Sequence, residues 1–139
     1  FDAARFALVN LLLDSGDVHA AQDEFALLSP KAPQDERYAP LETRLRATER
    51  ADTLPDAGAL RTVVEAQPDN LQARLDLAQQ YIAAQDYEAA LEQLLAIVER
   101  DRAFRDDIAR KTMVSVFDMM RDAPQAVSHW RRQLASKLN

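Results

Sequence analysis

The chain of 139 residues has no cysteine, two glycines, two histidines and no apolar run of the roughly 18 residues that a membrane helix requires. Without cysteine it can form no disulfide, hold no thiolate-bound metal and carry out no thiol redox chemistry; this fits a reducing, cytoplasmic setting. The scarcity of glycine leaves Ser15-Gly16 and Ala57-Gly58 without the companions that a phosphate-cradling loop needs. His19 and His129 lie in different parts of the chain with no second histidine at metal-ligand spacing, so no metal site is expected. There is no basic surplus either. The net charge of −6 opposes a nucleic-acid surface, which calls for a basic patch. No basic–apolar–small start marks a signal peptide. The acidic pairs Asp35-Glu36 and Asp106-Asp107 fall at expected helix starts, where they favour the positive end of the helix dipole. No residue therefore qualifies as catalytic, cofactor-binding or metal-binding, and the segment reads as a non-enzyme.

Alanine and leucine dominate what is present, and both enter helices at little cost. Phe6, Val9 and Leu13 share one face of a helix over residues 2–15, with Leu8 and Leu12 beside them. Ser15-Gly16-Asp17 breaks that helix and offers Asp17 as a cap for the next, whose apolar residues are Val18, Ala21, Phe25 and Leu28. Ser29 to Pro33 ends the second helix, because proline has no N–H to donate. The same layout returns from Leu71 onward. There it runs through Leu77, Ala78, Tyr81, Asp86, Tyr87, Ala90 and Leu94; the first copy runs through Leu8, Leu12, Gly16, Asp17, Ala21, Phe25 and Pro33. This resembles the tetratricopeptide repeat, a helix pair of about 34 residues. The offset between the two copies leaves room for one unit between, with Tyr38, Leu41, Leu45 and Thr48 in its first helix and Leu60, Val63 and Val64 in its second. That unit is degenerate, since Arg46 or Ala47 stands at its small position and no aromatic–Ala pair follows. A fourth copy starts near Asp107 and carries Met113, Val114, Phe117, Ala126 and Trp130, with Asp122 as a candidate cap and Pro124 in the first turn of its second helix.

The fold expected is all-α: a tetratricopeptide-like right-handed superhelix of about eight antiparallel helices, in one domain of four repeats near 2–35, 36–70, 71–104 and 105–139. Neighbouring repeats bury one another's apolar stripes. Tyr81, Ala90, Leu94, Phe117 and Trp130 are expected in the core. In this repeat family the first helices line a groove, and the usual groove positions give Phe6, Asn10 and Leu13 with Ala3 and Asp14 in repeat one. They give Leu75, Gln79 and Ile82 with Gln72 and Ala83 in repeat three, and Lys111, Ser115 and Met119 with Ile108 and Asp118 in repeat four. The Lys of the family's chaperone-binding clamp is absent, its place taken by Phe6. An apolar groove suits an amphipathic helix or an unfolded segment. Charge is uneven: residues 105–139 hold seven basic and four acidic side chains, against 10 and 19 before them. Arg110, Arg131 and Arg132 form a candidate basic docking patch.

The stretch LLAIVERDRAFRDDIARK at 94–111 and the tail RRQLASKL at 131–138 carry a narrower likeness. They resemble the C-terminal region of the YbbN-type thioredoxin–tetratricopeptide proteins, the chaperedoxins. The resemblance implies a thioredoxin-like domain ahead of Phe1, and a stress-response co-chaperone that holds unfolded clients and passes them to the chaperonin. Arg100, Asp101, Arg102, Phe104, Arg105, Asp106, Asp107, Arg110 and Lys111 would form a charged turn between repeats, with Phe104 packed beneath. The alternative is a spacer or dimerisation element without clients, attached to a redox-active thioredoxin domain. Oligomeric state is open.

Overall fold

The computed structural model describes residues 1–138. Asn139, the last position of the expected fourth repeat, lies outside them. Eight α-helices follow in order: α1 (Asp2–Asp14), α2 (Val18–Ala26), α3 (Tyr38–Ala51), α4 (Ala57–Ala66), α5 (Leu71–Ala83), α6 (Tyr87–Asp101), α7 (Phe104–Met119) and α8 (Pro124–Leu138). A short 3₁₀ turn, Ala32–Gln34, precedes α3. No strand occurs among the described residues.

The starts of the helices follow their capping chemistry. Asp17, Asp56, Asn70 and Asp86 each accept a hydrogen bond from the backbone N–H three residues on, at Ala20, Ala59, Ala73 and Ala89. The repeat is visible in the turns atom by atom. In the first, Gly16 N–H donates to Leu13 O and Asp17 N–H to Leu12 O; in the equivalent turn of repeat three, Gln85 N–H donates to Ile82 O and Asp86 N–H to Tyr81 O. Both turns need a left-handed residue. Gly16 supplies it at φ 83°, and Gln85 adopts it at φ 62° without glycine's freedom.

Packing is less regular than four equal hairpins. α1–α2 and α5–α6 are tight antiparallel pairs, while α4 makes its close backbone contacts with α5, and α8 with α6. α3 touches α1, α2, α5 and α7. Two main clusters result. The smaller joins Phe6, Val9, Leu13, Phe25, Leu41 and Leu45. The larger joins Leu75, Ile82, Leu91, Leu94, Ile97, Met113, Val116, Phe117 and Trp130. A third, of Leu60, Val64, Ala73 and Leu77, seats α4 on α5. Ala47 is fully buried against the larger cluster, so it rather than the exposed Arg46 fills the small position of repeat two.

Three local expectations are corrected. Tyr81 is half-buried rather than core, because its hydroxyl reaches out to accept from Arg61 Nη1 at 3.2 Å. α8 begins at Pro124, directly after Ala123, so Asp122 lies one residue too early to be its cap. Asp106 and Asp107 do not sit in an ordinary first turn. With Arg105 they form a left-handed turn, at φ 48°, 58° and 65°, before α7 resumes right-handed geometry.

Candidate protein-binding face

The first helices of repeats two and four meet directly, α3 against α7, and run antiparallel. The start of α3 faces the end of α7, where Arg121 pairs with Glu36 at 2.9 Å. Two clefts lie along this contact. The first, of about 270 Å³, is lined by Asn10, Arg37, Pro40, Leu41, Arg44, Gln85, Tyr87, Asp118, Met119 and Arg121. The second, of about 360 Å³, lies between the end of α3, α5 and the start of α7, lined by Glu42, Thr43, Arg46, Arg50, Leu75, Gln79, Arg105, Ile108 and Thr112. Six arginines and two carboxylates therefore line the pair of clefts, on a chain whose net charge is −6.

Arg44 organises the first cleft. It is only 5 % exposed, donates from Nη1 to Asn10 Oδ1 at 2.9 Å and from Nη2 to Asp14 Oδ1 at 2.6 Å, and its Nε finds no acceptor. A guanidinium at this depth needs such partners, since an unpaired buried charge is very costly. Arg37 is spoken for as well. Its Nε and Nη2 hold both oxygens of Asp35, and its guanidinium lies 5.0 Å from the Phe6 ring centre. Asp35 also accepts the Arg37 backbone N–H, and these hydrogen bonds hold its carboxyl down at about 2.

The second cleft is different. Its floor is Leu75 with half-buried Ile108, and Gln79, Thr43 and Thr112 add neutral polar groups. Arg46 pairs with Glu49 at 2.6 Å and Glu42 at 3.9 Å. Arg50 and Arg105 form no ion pair among the described residues. Arg105 leaves the left-handed turn towards α5, donating from Nη1 to Gln72 Oε1 at 3.2 Å. Left-handed geometry costs about 1–2 kcal/mol per residue outside glycine. Asp lowers that cost by bonding locally, and Asp107 does so through Arg110 Nε at 2.6 Å.

The expected groove residues divide. Asn10 and Met119 line the first cleft, and Leu75 and Gln79 the second. Phe6, Leu13 and Ile82 are buried in the core and give a partner no surface in this conformation; Leu75 contributes only a sliver of floor. The reason is packing within the array: Phe6 and Leu13 lie against Phe25 of α2 and Leu41 and Leu45 of α3, and Ile82 lies in the larger core with residues of α6 and α7. Lys111 is exposed and Ser115 half-buried on α7, outside both clefts. Of the basic patch, Arg110 is held by Asp107, Arg131 lies 5.0 Å from the Phe117 ring centre, and Arg132 is exposed on α8. Arg37, Arg44, Arg46, Arg50, Arg105 and Arg121 are additions that the repeat pattern does not supply. A signal for the α3 members exists in the sequence: groove positions follow from the three well-formed repeats, and Arg44, Arg46 and Arg50 belong to the degenerate one, whose first helix also faces the groove.

The all-helical array agrees with comparison to known families: the tetratricopeptide-repeat model matches residues 50–139, more than half of the chain. The chain belongs to the tetratricopeptide-repeat family. No curated protein and no solved structure matches it significantly. Tetratricopeptide arrays serve as protein-binding surfaces, stacking helix pairs so that one face is extended for a partner. No helix here is long and apolar enough to cross a membrane, and no metal-ligating cluster occurs among the described residues.

Proposed function

We propose that this tetratricopeptide domain binds polypeptide segments across the α3–α5–α7 face, as the helical half of a cytoplasmic, thioredoxin-like co-chaperone that holds unfolded clients and hands them to the chaperonin. The observation that supports it is the second cleft, where half-buried Ile108 and the amide and hydroxyl groups of Gln79, Thr43 and Thr112 lie among Arg46, Arg50, Arg105 and Glu42, with room for one or two side chains. Such a surface takes an aliphatic side chain by burial, worth about 25 cal/mol per Å² before ordering costs. The domain itself has no catalytic role in this reading. Any redox chemistry belongs to a thioredoxin-like domain in cis, and the family likeness of residues 94–111 and 131–138 supports that link. Light scattering of a chemically denatured enzyme diluted into buffer tests it. Suppression at near-stoichiometric protein is expected, and unaltered aggregation removes the holdase role.

A specific observation favours a second reading, a dimerisation element. On α1, Leu11 is 64 % exposed and Leu8 39 %, on a flank with Ala4 and Ala7 that carries no charge. The third repeat shows what such a flank can take. Ala73 and Leu77, its counterparts of Ala4 and Leu8, are buried beneath Leu60 and Val64 of α4. Sedimentation velocity separates the readings: a dimer lost on Leu11→Glu supports dimerisation, and a monomer at every concentration removes it.

A further inference from the structure

We infer that the second cleft selects segments in which an acidic side chain is flanked by aliphatic ones, and that Arg50 and Arg105 are the residues that read the carboxylate. The inference rests on peptide binding at this face and adds the chemistry of the partner. Charge carries it. Four of the six cleft arginines already face a carboxylate of the chain: Arg37 with Asp35, Arg44 with Asp14, Arg46 with Glu49 and Arg121 with Glu36. The two that remain both line the second cleft, one from the end of α3 and one from the start of α7. Half-buried Ile108 lines the same cleft, beside a sliver of Leu75, and suits an aliphatic neighbour.

The backbone gives an independent reason to single out Arg105. A right-handed start to α7 would be the relaxed course for residues 105–107, yet all three are left-handed, and the turn leaves Arg105 directed at Gln72 on α5. Its present partner is a neutral amide, which a carboxylate readily outcompetes for a guanidinium. Both arginines are exposed, so the contact is a moderate, salt-sensitive one that gives preference more than affinity.

Selection from a phage-displayed library of random peptides tests it, followed by fluorescence anisotropy on synthetic copies amidated at the C-terminus, so that only side-chain carboxylates are read. With the wild-type chain the selected peptides should be rich in Asp or Glu beside Leu, Ile or Val. Replacing that acid by Asn or Gln should weaken binding about tenfold at low salt, and much less at high salt. Arg50→Gln with Arg105→Gln should cause the same loss with the circular dichroism spectrum unchanged, and Arg50→Glu with Arg105→Glu should turn the selection towards Lys and Arg. Peptides that bind with no acidic preference, or that ignore both double variants, overturn the carboxylate assignment and leave peptide binding at the face standing. No enriched peptide at all overturns both.

Discussion

The two ends of this array are held by different physics. From α5 onward the helices share one continuous apolar core, with Ile82, Leu91, Leu94, Ile97, Met113, Val116 and Phe117 almost wholly out of solvent. The first repeat has a smaller core of its own, joined to the rest through α3. That joint combines apolar packing of Leu41 and Leu45 against Phe6, Leu13 and Phe25 with polar links: buried Arg44 reaches back to Asn10 and Asp14, and Gln22 donates to Glu49 across α2 and α3 at 2.9 Å. Apolar contact is non-directional and tolerates small shifts, whereas a buried guanidinium fixes one geometry. The larger shared core makes the C-terminal repeats the more stable body, and the first repeat, with its smaller core, the part that separates first.

The largest expected effect breaks the strong side. Phe117→Ala removes a 2 % exposed ring from the centre of the larger core, and should cost about 3–5 kcal/mol. Phe25→Ala, at the 8 % exposed edge of the smaller core with its ring tilted against Tyr38 at 5.1 Å, should cost less, near the lower end of that range at about 3 kcal/mol. Urea titration followed by far-ultraviolet circular dichroism gives both values. Equal costs would remove the contrast between the cores.

Arg44→Ala comes next, at about 1–3 kcal/mol, from lost packing and two charge-assisted hydrogen bonds. The larger penalty of a stranded buried ion does not arise, because the Asp14 side chain is half exposed and regains water. The readout matters more than the size. Trp130 is the sole tryptophan and sits in the C-terminal core, so its fluorescence follows that half while circular dichroism follows all eight helices. In the variant the dichroism transition should begin at lower urea than the fluorescence transition. Coincident curves would show that the first repeat is coupled by its apolar contacts alone.

A finer comparison lies in the equivalent turns. Gln85 occupies the left-handed place that Gly16 holds in the first repeat, so Gln85→Gly should stabilise by about 0.5–1 kcal/mol. Gly16→Ala should destabilise by about 1 kcal/mol, although nothing lies within 4 Å of the added methyl, because its φ of 83° alone strains an L residue. Thermal melts of both variants check the signs, and the same sign for both would contradict the equivalence of the turns.

That equivalence also shows what is legible in the sequence. The recurrence of one layout two repeats apart reveals the helix pairs, the cap at Asp17 and the core places of Ala90, Leu94 and Phe117, because spacing and capping are local properties. Groove exposure is not local. Whether Phe6, Leu13 or Ile82 meets solvent depends on how neighbouring helices pack over them: α3 closes over Phe6 and Leu13, and the larger core takes in Ile82, through residues far apart in the chain. The left-handed turn at Arg105 to Asp107 is equally hidden, since DRAFRDD reads as an ordinary acidic helix start. The arginine-lined clefts escape a repeat-based reading because most of α3 follows no repeat pattern.

The smallest effect concerns the loop that ties the two ends together. Asp35 is held by Arg37 and is followed by Glu36, which pairs with Arg121 from the end of α7. Its folded carboxyl titrates at about 2, below an ordinary Asp near 3.9. A depressed carboxyl contributes stability in full above the unfolded value and loses it as pH falls towards the folded one. The contribution of Asp35 is therefore present at neutral pH and fades between about pH 4 and pH 2. Asp35→Asn keeps one oxygen to accept the Arg37 backbone N–H, and removes the charge together with the second acceptor, which Arg37 Nη2 uses. The gap in urea midpoint between wild type and this variant should be small at pH 7, because the group is exposed and screened by solvent. It should close as pH falls from 4 to 2. A gap that persists unchanged at pH 2 would mean that the turn, not the ion pair, sets the loop, and that the two ends are tied here by backbone geometry.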